Sequence, residues 1–375
     1  MTEGALTWIE SLSPWPAEFG LDRMRALLER LGNPQRAFRA VHVVGTNGKS
    51  TTTRMTAALL RDAGLRTGSY VSPHVLGWHE RLDVDPETFA AALARVRPDV
   101  EALGATQFEA LTAAALAHFA AESMDVAVIE AGLGGRLDAT NVLDAEVVVL
   151  TNVALEHTEV LGATREAIAA EKLAVVTPGA AVVLGEAEWE ELARANGAAT
   201  VEIPGGSNLA LARAAAERLL GRSVYPTAAE AVRLPGRLEH RAIDPDEIWD
   251  GAHNLAGVGY LLGRLPPGPY VITLSVLGQK DVDGMLRALT PLADTVIATT
   301  SSNPRALSAE ELATRAEPYF GHVEPFPEPT AARDRARELA GPAGRVLVTG
   351  SLYLLADLSR TVPPRDEQHG DEQSP

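Results

Sequence analysis

Short, almost unbroken apolar runs alternate along this chain with longer stretches rich in Ala, Leu and Arg. In the first half the apolar runs fall at 40–44, 67–71, 125–129, 146–151 and 180–184. Runs of that length without polar alternation predict strands buried on both faces. The intervening segments 52–60, 86–96 and 108–121 predict helices, so strand and helix alternate as in a parallel sheet covered on both sides. A second alternating block follows Leu234-Pro235-Gly236-Arg237. Its predicted strands are 247–250, 270–275, 295–299 and 345–349, with helices near 255–265, 285–289, 309–316 and 331–339. A helix over 209–220 closes the first block, which puts a boundary near Leu234.

The most informative stretch joins the first strand to its helix: Gly45-Thr46-Asn47-Gly48-Lys49-Ser50-Thr51. Strand, glycine-bearing turn, then Lys and hydroxyls opening a helix is how a chain builds a phosphate cradle. Glycines let backbone N–H groups approach an anion, the helix N-terminus adds partial positive charge, and the Lys neutralises outer phosphates. The first Gly lies closer to Gly48-Lys49 than the usual P-loop spacing, so only the second half of that pattern is matched. The chain therefore reads as α/β. A P-loop-type, mostly parallel sheet domain over 1–233 is followed by a smaller Rossmann-like α/β domain over 234–362, with a polar, proline-bearing tail at 363–375 that reads as disordered.

Composition narrows the partners. Across 375 residues, 33 Lys and Arg face 50 Asp and Glu, a formal net charge of −17. That balance argues against nucleic acid or an anionic membrane, both of which demand a basic surface. A polyanionic substrate has to be held by a few local cations such as Lys49, Arg136 and Arg237. The chain has no cysteine, which excludes disulfides, thiolate metal sites and a Cys nucleophile. The first residues have neither a basic region nor a long apolar core, and no apolar stretch would span a bilayer, so a cytoplasmic location is expected.

Further candidates stand at strand ends, where open α/β sheets bind their ligands. The strand 125–129 runs into Glu130 and then Ala131-Gly132-Leu133-Gly134-Gly135-Arg136-Leu137-Asp138-Ala139-Thr140-Asn141. A carboxylate at Glu130 is placed to hold Mg²⁺, and it also reads as a solvated strand-end acid. His157 follows the strand 146–151, where a His serves as a hydrogen-bonding loop residue as readily as a metal ligand. Ser72 follows the strand 67–71. Three strands each ending in a candidate ligand make a sharper pattern than any one of them. Lys172, in Ala169-Ala170-Glu171-Lys172-Leu173, reads by itself as a solvated lysine on a helix.

With these residues assembled, the chain resembles the Mur ligase superfamily, and within it the folylpolyglutamate synthase/dihydrofolate synthase family. The resemblance runs from about residue 19 to 355 and rests on ordered motifs. These are Phe19-Gly20-Leu21-Asp22-Arg23, the loop 45–51, Ser72-Pro73-His74 with Glu80-Arg81, Phe108-Glu109 and 132–141. The series continues through Glu171-Lys172, Leu234-Pro235-Gly236-Arg237 and Asp250-Gly251-Ala252-His253-Asn254 to Gly350-Ser351-Leu352-Tyr353. It implies ATP contacts at Thr46, Asn47, Gly48, Lys49, Ser50, Thr51, Asn208, Arg237 and Asp250. It implies Mg²⁺ ligands at Ser72, Glu130 and His157, with Lys49, His157 and Lys172 in catalytic roles. Lys172 matches a lysine that the family carbamylates. His253 and Ser351 fall where glutamate is received, and Pro16, Ala17, Glu18, Phe19, Thr106 and Gln107 match pterin-side contacts. Two departures stand out: Ser50 where the family usually has a third Gly, and Glu156 in place of an Asp before His157.

The implied activity is an ATP-dependent ligase that activates a folate or dihydropteroate carboxylate as an acyl phosphate and joins it to the amine of L-glutamate. The implied cofactors are ATP and Mg²⁺, the implied state a monomer. Two other readings stay open at this point: a cell-wall Mur-type amino-acid ligase, and an ATP-binding protein without ligase chemistry.

Overall fold

The computed structural model describes residues 2–16 and 18–361; Ala17 and the tail 363–375 lie outside the described residues. The chain forms two compact units, one ending at Val232 and the other beginning at Arg233.

Six parallel strands make the sheet of the first unit: β1 (Arg39–Val44), β2 (Thr67–Tyr70), β3 (Val126–Glu130), β4 (Val147–Leu150), β5 (Ala181–Leu184) and β6 (Thr200–Glu202). Their order is β2-β3-β1-β4-β5-β6, with β1 paired in parallel to both β3 and β4. Strand periodicity sends alternate residues to opposite faces. Val41, Val43, Val126, Val128, Val147, Val149 and Val183 pack against the helices Lys49–Asp62 and Asn208–Leu220. Ala40, Val44, Ile129, Val148, Leu150 and Leu184 face the other way, into a core shared with the helices Pro86–Leu103 and Gln107–Ala121. Continuous apolar strands were thus the correct signature of a doubly covered sheet.

The second unit repeats the plan with β7 (Glu239–Ala242), β8 (Asp246–Trp249), β9 (Val271–Leu274), β10 (Thr295–Ala298), β11 (His322–Pro325) and β12 (Arg345–Thr349). The order is β11-β10-β9-β12-β8-β7, parallel except for the antiparallel edge pair β7–β8. Ile248, Ile272, Leu274, Val296 and Leu347 build its core with the helix Val282–Leu289.

Three strands escape the sequence pattern: β6, β7 and β11 are short, partly exposed and lack apolar runs. Each is an edge strand, with only one neighbour to demand burial. The helices Thr2–Ser11 and Asp22–Arg30 were likewise unread. The helix expected over 86–96 instead runs to Leu103 through Pro98, because Val96 and Val100 lie on one buried face and carry it past the residue that cannot donate.

One polar residue interrupts β1. His42 is buried, and loss of hydration pushes its pKa down to about 4, so it is neutral in the fold. The unfolded chain protonates near pH 6.5. Stability from keeping this ring neutral is intact above that pH and falls as pH drops toward 4, by on the order of 3 kcal/mol. Denaturant unfolding of wild type and His42→Gln from pH 7.5 to 4.5 checks this: the wild type should lose more stability on acidification than the variant.

Candidate functional site

The phosphate loop is held from behind by the turn after β4. Thr46 N donates to Asn152 O at 2.9 Å and Asn47 N to Asn152 Oδ1 at 3.0 Å. Asn152 Nδ2 and Thr151 Oγ1 donate in return to Asn47 O, at 2.9 and 2.7 Å. The amides of Thr46 and Asn47 therefore brace the loop. Gly48, at φ +81°, caps the helix Lys49–Asp62 without a side-chain cap. The first intrahelical amide bond runs from Thr52 N to Gly48 O, at 2.9 Å. Helix geometry gives the N–H groups at 48–51 no intrahelical acceptor, which leaves them to an anion. Lys49 Nζ lies over the same turn, donating to Thr46 O at 3.2 Å. Ser50 is buried in the first helical turn beside Thr51.

Two side chains from distant sequence complete this cradle. Asn208 opens the helix Asn208–Leu220, and a Cβ at Gly48 would collide with its carboxamide oxygen. Only glycine meets both the backbone angle and that close approach. Lys172, on the helix Arg165–Leu173, is 2% exposed, contrary to the solvated lysine that its residue type suggests. Its Nζ donates to Gly45 O at 2.7 Å and lies 3.7 Å from Glu156 Oε1. Burial, reinforced by the Lys49 charge, pulls its pKa down to about 8 while Glu156 and Asp138 oppose the shift. The helical spacing held the signal, since Lys172 shares the buried face of Ile168, Ala169 and Leu173.

Glu130 ends β3 at 1% exposure and accepts Ser72 N at 3.0 Å on Oε2, so the first two expected metal ligands are neighbours. His157 sits at φ +47°, half-buried, capping the short helix Thr158–Leu161 with Nδ1 3.8 Å from Glu159. Among the described residues no group of three or more His, Cys, Asp or Glu is arranged to hold a metal alone. The oxygen donors of Glu130 and Ser72 nevertheless suit a hard divalent cation, which fills its shell readily with water and phosphate oxygens. His74, from the same turn as Ser72, accepts Arg81 Nε at 3.0 Å and is held neutral by burial and by Arg81, at a pKa of about 3.

The residues matched to the pterin side behave differently. Thr106 and Glu109 form a capping box on the helix Gln107–Ala121, and Arg23 Nε reaches Glu109 Oε2 at 2.8 Å. Gln107 Nε2 donates to Ile9 O at 2.9 Å, tying down the N-terminal segment. Pro16, Glu18 and Phe19 follow in an exposed stretch where the Trp15 and Phe19 rings meet edge to face at 6.3 Å.

In the second unit, Asp250 leaves β8 partly buried; Oδ2 accepts Leu238 N and Oδ1 accepts Ala252 N, both at 2.9 Å. Burial raises its pKa while the neighbouring Arg237 charge opposes the rise. Arg237 Nη1 donates to Gly236 O at 3.1 Å. His253 Nδ1 donates to Gly251 O at 2.8 Å, which fixes the ring proton on that nitrogen. Ser351 caps the helix Leu352–Ser359, its hydroxyl accepting Tyr353 N at 3.1 Å. The segment before β7 that carries Arg237 thus meets the turn after β8 that carries Asp250 and His253, and Ser351 follows the adjacent β12.

Sequence reasoning assigned no role to Asp138, Thr140 or His42. Asp138 is buried and accepts Leu133 N at 2.8 Å, Thr140 N at 3.0 Å and Thr140 Oγ1 at 2.5 Å. Thr140 Oγ1 also lies 2.8 Å from His42 Nε2. A polar residue inside an apolar strand and an Asp two residues before a Thr were the available signals.

Comparison with known proteins agrees with this architecture. Residues 43–203 match the Mur ligase middle domain and 236–352 the Mur ligase glutamate ligase domain. The dihydrofolate synthase/folylpolyglutamate synthase of Mycobacterium tuberculosis is 32% identical, over 94% of this chain and 92% of that protein. The Escherichia coli protein of the same name is 31% identical over 96% and 95%. Among solved structures, M. tuberculosis folylpolyglutamate synthase complexed with ADP and AMPPCP superposes with a TM-score of 0.87 at 31% identity, covering 97% of this chain and all of that one. The Yersinia pestis bifunctional enzyme complexed with AMPPNP and Mn ion gives 0.85 at 30%, covering 96% and 97%. Matches of this length place the chain in the folate branch of the superfamily rather than the cell-wall branch: it belongs to the dihydrofolate synthase/folylpolyglutamate synthase family of Mur ligases.

Proposed function

We propose that this chain is an ATP-dependent ligase that joins the carboxylate of a folate or dihydropteroate to the amine of L-glutamate. The observation that carries the reading is the braced phosphate loop, with Lys49, Lys172 and Asn208 gathered on it, in a chain whose relatives are solved with ATP analogues. A carboxylate is a poor acylating agent because its leaving group would be oxide. Its oxygen instead attacks the γ-phosphorus of ATP, the bond to the bridging oxygen breaks and ADP departs. The glutamate amine then attacks the acyl carbon, C–N forms, C–O breaks, and phosphate leaves as the amine gives up its proton. This chemistry asks the protein for position and electrostatics above all.

In this reading the amides at 48–51 and Lys49 hold the β- and γ-phosphates, while Thr46 and Asn47 fix the loop. Asn208, Arg237 and Asp250 contribute to the nucleotide site. Ser72, Glu130 and His157 would hold the Mg²⁺ ion, which when bound neutralises charge on the terminal phosphates. Lys172, with an amine already inclined to be neutral, is suited to add to CO₂: the N–C bond forms, a proton leaves, and the side chain becomes an anionic carbamate. His253 and Ser351 receive glutamate, and Pro16, Ala17, Glu18 and Phe19, with Thr106 and Gln107, serve the pteridine side. The protein acts as a cytoplasmic monomer. Among the described residues no helix is long and apolar enough to cross a membrane.

Phosphate release with glutamate, run with dihydropteroate and then with a tetrahydrofolate, tests the reaction; release that ignores both acceptors would remove the ligase assignment. Lys49→Ala should lower ADP formation by at least about 100-fold with the fold intact by circular dichroism. Glu130→Gln and His157→Ala should each raise the Mg²⁺ concentration for half-maximal rate, and an unshifted titration would free them of the ligand role. Lys172→Ala should lose activity that acetate partly restores; full activity without added carboxylate would end the carbamate reading.

A further inference from the structure

The hydrogen bonds of the glycine-rich segment 132–141 indicate what it does. Three donors converge on Asp138: the amides of Leu133 and Thr140 and the Thr140 hydroxyl, at 2.8, 3.0 and 2.5 Å. These bonds fold the segment back on itself, and Asn141 Nδ2 adds a further closure onto Arg136 O at 2.9 Å. The folded segment is clamped at both ends. At one end Arg136 N donates to Glu171 O at 3.0 Å, and Arg136 Nε pairs with Glu171 Oε1 at 2.8 Å. Gly135 lies so close that a Cβ there would stand 2.6 Å from the carbonyl oxygens of both Glu171 and Lys172. At the other end Thr140 meets His42 of β1, the strand that leads directly into Gly45.

The hydroxyl of Thr140 has one proton, and Asp138 takes it. His42 Nε2 must then be the donor to Thr140 Oγ1, so the polarity of the whole chain of bonds is set: His42 to Thr140 to Asp138. From the clamped helix, Lys172 reaches Gly45 O at 2.7 Å. Segment, helix, lysine and phosphate loop form a closed mechanical circuit with β1.

We propose that Asp138 is a positioning residue for the nucleotide site, acting through Lys172, with the His42–Thr140 pair as its brace. The carboxylate holds the 132–141 segment in the one shape that seats Gly135 and Arg136 against the carbonyls at 171 and 172. That seating fixes the backbone from which Lys172 pins the phosphate loop. An Asn at 138 would keep the size of the side chain and present an NH₂ group to one of three donors, so the segment would open. The proposal rests on the nucleotide reading of the loop, and the test separates the two.

Isothermal titration with ADP reads the effect directly on the full chain. Asp138→Asn and Thr140→Val should each raise the Kd for ADP about tenfold, whereas Thr140→Ser, which keeps the hydroxyl, should stay within about twofold of wild type. In a Lys172→Met background, Asp138→Asn should add no further loss, because the path to the loop is already cut. An unchanged Kd in Asp138→Asn, or losses that multiply in the double variant, would overturn the proposal; Thr140→Val against Thr140→Ser decides it should Asp138→Asn not fold. A wild-type chain that binds no ADP would instead overturn the nucleotide reading itself.

Discussion

A lysine ammonium removed from water must be supplied with oxygen, because an unpaired buried charge costs several kcal/mol. Lys172 takes the carbonyl of Gly45, with the Glu156 carboxylate behind it. That bond does more than satisfy the lysine. It draws one peptide oxygen at the start of the phosphate loop inward, while Thr151 and Asn152 draw the oxygen of Asn47 the same way. With its acceptors turned to the protein, the loop is left presenting donors, which is the electrostatic requirement for holding a polyphosphate. The chain carries a net charge of −17, so a local arrangement of this kind is what holding a polyanion here would require.

The sheet explains why these groups can meet. The turns after β1, β2, β3 and β4 leave the same edge because the strands are parallel, and β1 lies between β3 and β4 in the order. Gly45, Ser72, Glu130 and Thr151 are each within two residues of a strand end. No long-range folding of loops is needed to gather them; topology does it. The second unit uses the same device, with Asp250 after β8 and Ser351 after the adjacent β12.

How much of this could be read from the sequence depended on whether a residue's role was local. The phosphate loop was legible because strand, turn and helix signals are contiguous, and the central strands because burial on both faces imposes unbroken apolar runs. The edge strands β6, β7 and β11 were not, since their exposure removes that constraint, whereas the edge strand β2 is buried throughout and was legible. Lys172 taken alone read as solvated because residue type was weighed above its helical spacing with Ile168 and Ala169, and only the family resemblance gave it a role. Asp138, Thr140 and His42 were passed over for a different reason: each carries only a faint signal alone, and His42 lies 98 residues from Thr140. The 132–141 segment is folded by the bonds to Asp138 within it and tied to β1 by that long-range pairing. The helix running through Pro98 is a local rule overridden by packing.

The abutment of Asn208 on Gly48 joins two parts of the chain separated by the whole of the first sheet. A Cβ at Gly48 would collide with Asn208 Oδ1, so the first residue of the helix Asn208–Leu220 leaves the turn little space for a side chain. The start of a helix far along the chain thereby limits which residue the turn at 48 can carry.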